Sequence, residues 1–304
     1  MRMAKWCHKW LSLRAATLAP RTADSYQRLI RAYIVPAIGA KDLSKLKPKH
    51  VREAYAPALI AGHTRTAEQI HVLLTQILRA AIKSGQLEAF AFDRCPRPSH
   101  QAKLTAWWSP EDAAQFIRMR QLALDPHLTV WILALCLGLR RGELCGLRWS
   151  DFDLSARTVT IARQRVTLDD GRTITTRPKS RSSVRTLPIS DDLATFLTCH
   201  SHVTGTSRDY VALSASTGQP ITPSGLDQAW RRAVKDCAPA VPYITLHGLR
   251  HTCGASAVRA GVSMRVLQEI MGHSSMIVTS SIYAHADRRV IQAAIDKITA
   301  LMLS

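Results

Sequence analysis

The sequence predicts a mainly α-helical fold with one small antiparallel β-sheet, and three patterns support this prediction. Apolar residues recur at spacings of three and four along much of the 304-residue chain, which is typical of amphipathic helices. Between residues 157 and 189 the period changes to two, which indicates strands. A segment with little apolar content, 94–106, interrupts the helical pattern. We therefore expect a helical domain at 1–93, a linker at 94–106 and a second domain at 107–304.

The first of these domains has the pattern of a helical bundle. One helix is predicted over 22–33, with Thr22 as its capping residue. A second helix is predicted over 67–84, where apolar side chains form one continuous face. The apolar positions of this face are Ile70, Leu73, Leu74, Ile77, Leu78 and Ala81.

The second domain mixes helices with the strands. Ser109-Pro110-Glu111-Asp112 has the features of a helix start, and residues 128–138 predict a buried helix that ends at Gly138. Strands are predicted at 158–161, 173–175 and 184–187, with a turn at 169–171. Further helices are predicted at 190–200, 222–237, 247–260 and 264–271.

The charge of the chain indicates a polyanionic partner. Lys and Arg number 41 against 22 Asp and Glu, a formal net charge of +19. The first 100 residues hold 17 basic and 6 acidic side chains, and the remainder hold 24 and 16, so the excess is spread over both domains. This distribution favours nucleic acid over a membrane surface, for which one cationic amphipathic segment is more typical. We expect a cytoplasmic protein without membrane association, in which both domains contact DNA.

The cysteines do not suggest a metal site or a disulfide framework. There are seven, an odd number, and no pair has the Cys-X-X-Cys spacing. Cys136, Cys145 and Cys253 lie in apolar helical segments, where a buried thiol is the expected role.

Two arginine motifs carry chemistry suited to a phosphate. Arg140 follows the buried helix and Glu143 lies three positions later, so the guanidinium can bind phosphate while the carboxylate orients it. A simple helix-end ion pair between the two is the alternative. His247 and Arg250 are also three apart and project from one helix face, although a solvated pair is the alternative there.

A second histidine and a tyrosine follow these motifs. His273 lies in Met271-Gly272-His273-Ser274-Ser275, and Tyr283 is ten positions further on. A tyrosine hydroxyl can act as a covalent nucleophile toward phosphorus, while arginines and histidines stabilise the negative charge that develops.

With these motifs the chain is similar to the tyrosine recombinases of the phage integrase family. The resemblance implies a helical N-terminal core-binding domain followed by an α+β catalytic domain. It also implies two phosphate-binding arginines, two histidines, a nucleophilic tyrosine, a hairpin lysine and a supporting acid. The arginines are Arg140 and Arg250, and the histidines are His247 and His273. The nucleophile is Tyr283, the hairpin lysine is Lys179 and the supporting acid is Glu143.

The activity that the resemblance implies is site-specific cleavage and rejoining of DNA through a 3'-phosphotyrosyl intermediate. Neither cofactor nor metal is expected, because arginines and histidines supply the positive charge that a metal ion would otherwise provide. The expected partner is double-stranded DNA at core sites. We expect the protein to be a monomer in free solution and to form a homotetramer on this DNA. Two alternatives remain: DNA relaxation of the type IB topoisomerase kind, and a DNA-binding regulator without turnover.

The C-terminal segment predicts one more amphipathic helix. Its apolar residues include Ile291, Ile295 and Ile298, which lie on one face. This face can dock on its own domain or, as the resemblance implies, on a neighbouring subunit.

Overall fold

The computed structural model describes residues 1–100, 105–177, 184–203, 209–272 and 288–303. The chain divides into two compact units. The first comprises Met1–Lys103 with Leu168–Arg172, and the second comprises Leu104–Thr167 with Thr173–Ser304. The predicted fold class, mainly helical with a small antiparallel β content, is confirmed.

The first unit is a bundle of helices around an apolar core. Its longer helices are α1 (Met3–Ala15), α2 (Pro20–Leu29), α4 (Pro48–Ile60) and α5 (Thr64–Lys83), and the short α3 (Val35–Ile38) lies between them. Turns of 3₁₀ helix cover Leu43–Lys45 and Phe92–Arg94. The face predicted for residues 67–84 is buried: all six of its apolar residues are at most 1% exposed.

The start of α2 differs from the sequence prediction. Thr22 was predicted to cap the helix, but α2 begins at Pro20 and its N-cap, Ala19, makes no side-chain hydrogen bond. Proline at the first helical position has no N–H to satisfy and has its φ already in the helical range, so it starts this helix without a capping side chain. One π-helical turn, Ile30–Ile34, continues α2 into α3, and Pro36 follows directly, where a backbone donor is missing.

The second unit contains eight helices among its described residues. The first three are α6 (Pro110–Leu122), α7 (Leu128–Leu137) and α8 (Arg141–Gly146). They are followed after the strands by α9 (Asp191–Val203), α10 (Pro223–Asp236), α11 (Leu246–Arg259), α12 (Met264–Met271) and α13 (Arg288–Leu303). Every residue of α7 is buried, so this helix forms the centre of the unit. The predicted start of α6 is confirmed, because Ser109 Oγ accepts from Asp112 N at 3.1 Å.

The strands form two sheets rather than the single sheet that was predicted. A 3₁₀ turn, Trp149–Asp151, leads into β1 (Phe152–Asp153), which pairs with β2 (Thr158–Ile161), and β2 pairs on its other side with β5 (Arg185–Pro188). A separate hairpin joins β3 (Gln164–Thr167) to β4 (Thr173–Thr176). The sequence did not indicate β3, since all four of its residues are half-buried and no alternation marks an inner face.

Helix α13 packs against its own unit. It contacts α6, α7, α9, α11, α12 and β5, and Ile295 and Ile298 are fully buried there. The apolar face that the sequence predicted is therefore occupied within the single chain.

The cysteines predicted to be core residues are buried: Cys136, Cys145 and Cys253 are all 0% exposed. In the part of the chain that the structure describes, no helix combines the length and apolar character needed to cross a bilayer.

Candidate active site

Arg140 is held at the junction between α7 and α8. Gly138 ends α7 in the left-handed conformation (φ 58°), and an added Cβ there would lie 3.2 Å from both Cys253 Sγ and Met271 Cε, so glycine is required. Two residues later Arg140 is the N-cap of α8. Its side chain remains one-third exposed, and so it can reach a ligand.

Glu143 fixes the orientation of Arg140. One carboxylate oxygen accepts from Arg140 Nη1 at 2.8 Å, and the other accepts from the Arg140 backbone N–H at 3.0 Å. Glu143 is only 2% exposed. The neighbouring Arg141 is exposed and forms an ion pair with Asp227 instead. Of these two consecutive arginines, only Arg140 therefore belongs to the site.

Arg250, unlike Arg140, is buried. It lies on α11 and is 4% exposed, with Nη1 donating to the Gly138 carbonyl and Nη2 donating to the Met271 carbonyl at 2.8 Å. Burial, and then the positive charge of Arg140, lowers its pKa to about 10. The guanidinium is therefore still charged at neutral pH.

His247 lies in the first turn of α11, three positions before Arg250. Thr245 caps this helix, its Oγ1 accepting from Gly248 N at 3.2 Å. Desolvation of the ring, followed by the positive charges of His251 and Arg250, lowers the pKa of His247. A neutral imidazole has one N–H donor and one acceptor, so it can donate to an oxyanion or take a proton.

The cations converge on the end of α12. The last carbonyls of a helix have no intrahelical donor, and here Arg140 Nη2 donates to Gly272 O at 2.6 Å while Arg250 donates to Met271 O. A third arginine, Arg185 from β5, donates through Nε to Ile270 O at 2.7 Å. Three consecutive carbonyls are thus each bound by a different arginine.

The structure therefore brings together four of the seven residues that the sequence analysis assigned: Arg140, Glu143, His247 and Arg250. The assignments to Lys179, His273 and Tyr283 lie outside the described residues. Among the described residues, no group of three or more His, Cys, Asp or Glu is arranged to hold a metal ion.

Family models match both parts of the chain. The model described as the phage integrase family matches residues 114–289, and the phage integrase central domain matches residues 3–90. The first match alone spans more than half of the chain. The chain belongs to the phage integrase family.

Named relatives agree with this membership. A tyrosine recombinase XerC-like protein of Caldanaerobacter subterraneus subsp. tengcongensis is 25% identical, over 91% of this integrase-family chain and 78% of the relative. A putative prophage phiRv2 integrase of Mycobacterium tuberculosis is 26% identical, over 89% of this chain and 71% of the relative.

Solved integrase structures share the fold. The Tn1549 transposon integrase in complex with transposon right end DNA matches with a TM-score of 0.77 and 21% identity, covering 98% of this chain and 99% of that chain. A lambda integrase tetramer bound to a Holliday junction matches with a TM-score of 0.66 and 18% identity, covering 93% and 80%.

Arg185 is the site residue that the sequence analysis missed. A signal was present, because Arg185 and the buried Leu187 share one face of β5, so an arginine stands at an inward-facing position. An inward arginine on a short strand needs a buried partner, and only the fold identifies Glu143 as that partner.

Proposed function

We propose that this integrase-family chain cleaves and rejoins double-stranded DNA at specific sites, with Tyr283 as the nucleophile. The observation that carries the proposal is the convergence of Arg140 and Arg250, next to His247, on the carbonyls of Gly272 and Met271, which are one and two residues before His273 along the chain. We further propose that residues 1–93 form the core-binding domain and residues 107–304 the catalytic domain, joined by a linker at 94–106.

The proposed reaction conserves phosphodiester bonds. The Tyr283 hydroxyl gives up its proton as its oxygen attacks phosphorus, the bond to the 5'-oxygen breaks, and a proton passes to that oxygen to release a 5'-hydroxyl. The product is a 3'-phosphotyrosyl link, and attack by a 5'-hydroxyl of a partner strand reverses the step. Because the link stores the phosphodiester energy, the reaction needs no nucleotide cofactor.

The site residues match the charge changes of this reaction. Negative charge grows on the non-bridging phosphate oxygens as the nucleophile adds, and guanidinium groups that are already oriented stabilise it without reorganising. The side chain of Arg140 is one-third exposed, so such an oxygen can reach it, while Glu143 and the Gly272 carbonyl fix its orientation. We assign Lys179 and His273 as further donors to the phosphate or the leaving oxygen.

The proposed partner is core-site duplex DNA. The net charge of +19 supports phosphate contacts by both units. Since one neighbour in structure is a lambda integrase tetramer on a Holliday junction, we propose a homotetramer on two DNA sites, formed from protomers that are monomers in solution. We also propose that the protein acts in the cytoplasm of a bacterial host, where this DNA lies.

Substitution of the proposed nucleophile tests this function. On a nicked duplex that carries the attachment site flanking the gene of this chain, the unmodified protein should form a covalent complex that survives denaturation. Tyr283→Phe should form none while the Kd for the duplex changes by less than about twofold, because one hydroxyl contributes little to phosphate binding. Tyr243→Phe is the matched control, since Tyr243 is an exposed tyrosine of the same unit and should behave as the unmodified protein.

A covalent complex in the Tyr283→Phe protein would contradict the assignment of the nucleophile. A topoisomerase would relax supercoiled plasmid that lacks the attachment site, so relaxation of that plasmid would contradict site-specific recombination. Absence of any covalent complex, together with tight binding, would favour the regulator.

A further inference from the structure

Arg185 binds the carboxylate that also binds Arg140. Its Nη2 donates to Glu143 Oε2 at 3.1 Å and its Nη1 lies 3.4 Å from Glu143 Oε1. Both side chains are buried, that of Arg185 at 7% exposure and that of Glu143 at 2%. Glu143 is therefore bound between two guanidinium groups, one of which remains accessible and one of which does not.

Because of this arrangement, the charge of the accessible Arg140 is not fully neutralised by Glu143. Burial alone would raise the pKa of Glu143, but the charge and hydrogen bonds of Arg185, together with those of Arg140, lower it. If Arg140 were the only partner, the two would form a neutral ion pair. With Arg185 present, two positive charges face one negative charge, and the potential at the exposed edge of Arg140 remains positive.

The third hydrogen bond of Arg185 reaches the end of α12. Nε donates to the Ile270 carbonyl at 2.7 Å, next to the Met271 and Gly272 carbonyls that Arg250 and Arg140 bind. Cations at a helix C-terminus interact favourably with its partial negative charge. Arg185 thus links the Arg140–Glu143 pair to the end of α12. Ile270, at this helix end, is three positions before His273.

We propose that Arg185 is a positioning residue for DNA cleavage. Through Glu143 it holds the guanidinium of Arg140 toward the phosphate, and through the Ile270 carbonyl it holds the helix end from which the chain continues to His273 and Tyr283. Arg185 itself does not contact the DNA. The inference rests on the proposed function, because it concerns the rate of that cleavage.

Two substitutions of Arg185 separate positioning from general stability. Arg185→Met keeps the length of the side chain and removes its charge and donors, whereas Arg185→Lys keeps the charge and one donor group. On the nicked attachment-site duplex at saturating concentration, we expect Arg185→Met to lower the single-turnover cleavage rate about 30-fold, with Kd changed less than about threefold. Arg185→Lys should recover the rate to within about fivefold of the unmodified protein.

The matched control is Arg163→Met. Arg163 also forms a partly buried ion pair in the same unit, with Asp151 at 2.6 Å, but it takes no part in the arginine cluster. The melting temperature of each variant is measured on a separate sample before its cleavage rate is compared. If Arg163→Met lowers the melting temperature as much as Arg185→Met does but leaves the cleavage rate near that of the unmodified protein, lost stability does not explain the Arg185 effect.

A double-mutant cycle with Glu143→Gln tests the route of the effect. If Arg185 acts mainly through the carboxylate, Arg185→Met should cost about 30-fold in the parent protein and less than about fivefold in the Glu143→Gln protein. Equal losses in both backgrounds would overturn the route through Glu143. A loss that appears in Kd rather than in rate, or the same loss in Arg163→Met, would overturn the inference as a whole. Failure of the unmodified protein to form a covalent complex would instead contradict the proposed function.

Discussion

The two compact units differ in whether any of their positive charge is buried. In residues 1–100 every Lys and Arg is exposed except Lys41, which is half-buried. In the second unit, Arg185 and Arg250 have buried side chains that donate to backbone carbonyls. An exposed cation can exchange water for phosphate at little cost, whereas a buried guanidinium has its direction set before DNA arrives. Charge of the first kind contributes to affinity, and charge of the second kind contributes to the rate of the chemical step.

The largest effect that this comparison predicts concerns Arg250. Arg250→Lys keeps a positive charge but cannot donate to the Gly138 and Met271 carbonyls in one plane, so its ammonium should be misplaced relative to the phosphate. We expect the single-turnover cleavage rate to fall by about 100-fold or more, with Kd changed less than about threefold.

The control for Arg250 is on the same helix. Arg259 is exposed and forms an ion pair with Glu111, so Arg259→Lys should cleave at nearly the unmodified rate. A large rise in Kd with little change in rate for Arg250→Lys would show that this arginine acts as an ordinary binding cation, and the distinction between the units would be lost.

The second effect concerns the most basic stretch of the first unit. Residues 41–52 contain Lys41, Lys45, Lys47, Lys49 and Arg52 with one acidic residue. Desolvation, and then the positive charges of Lys41, Lys49 and Lys47, lower the pKa of His50 in the first turn of α4. This clustering of positive charge is the arrangement that a phosphate backbone requires.

Replacing Lys47 and Lys49 together by Gln should weaken duplex binding about tenfold at 0.15 M salt and reduce the slope of log K against log salt by about 2. The cleavage rate at saturating DNA should be unchanged. Arg157→Gln is the matched control, because Arg157 is an exposed cation already paired with Asp191 and should alter neither quantity. An unchanged salt slope in the double variant would mean that this stretch does not contact phosphate.

The parts of the site that the sequence predicted are those set by local spacing. Arg140 and Glu143 are three positions apart, and so are His247 and Arg250, so one turn of helix is enough to place the members of each pair together. The meeting of Arg185 with Glu143 joins residues 42 positions apart through β5 and α8, and no local pattern encodes that pairing.

The fold shows the same division. The apolar period predicted the inner faces of α5 and α13, because burial of one helix face leaves a repeating pattern. The sequence left open which surface covers α13, since an apolar face specifies burial but not the partner. The half-buried β3 left no pattern at all, and its pairing with β4 depends on the hairpin as a whole. The assignments of Lys179, His273 and Tyr283 remain predictions.

The smallest effect concerns Gly248, between His247 and Leu249 on α11. A Cβ at this position would lie 2.8 Å from the Ala106 carbonyl oxygen and 3.0 Å from Ile244 Cβ. The segment that contains Ala106 is held against α11 by Trp108, two positions later, whose backbone N–H donates to Thr252 Oγ1 at 3.0 Å. Gly248→Ala must therefore shift either this segment or the first turn of the helix.

We expect Gly248→Ala to lower the cleavage rate about three- to tenfold, because a shift of a few tenths of an ångström misplaces His247 but leaves the arginines in register. Gly254→Ala on the same helix is the matched control, since its Cβ would meet only the Met271 side chain, with Cε at 3.5 Å and Sδ at 3.8 Å, which are ordinary contacts. Both substitutions raise helix propensity by about 0.5–1 kcal/mol, so the difference between them isolates the close approach of Ala106. The salt slope should be the same in both, because neither changes a charge. Equal cleavage rates in the two variants would show that the contact with Ala106 does not position His247.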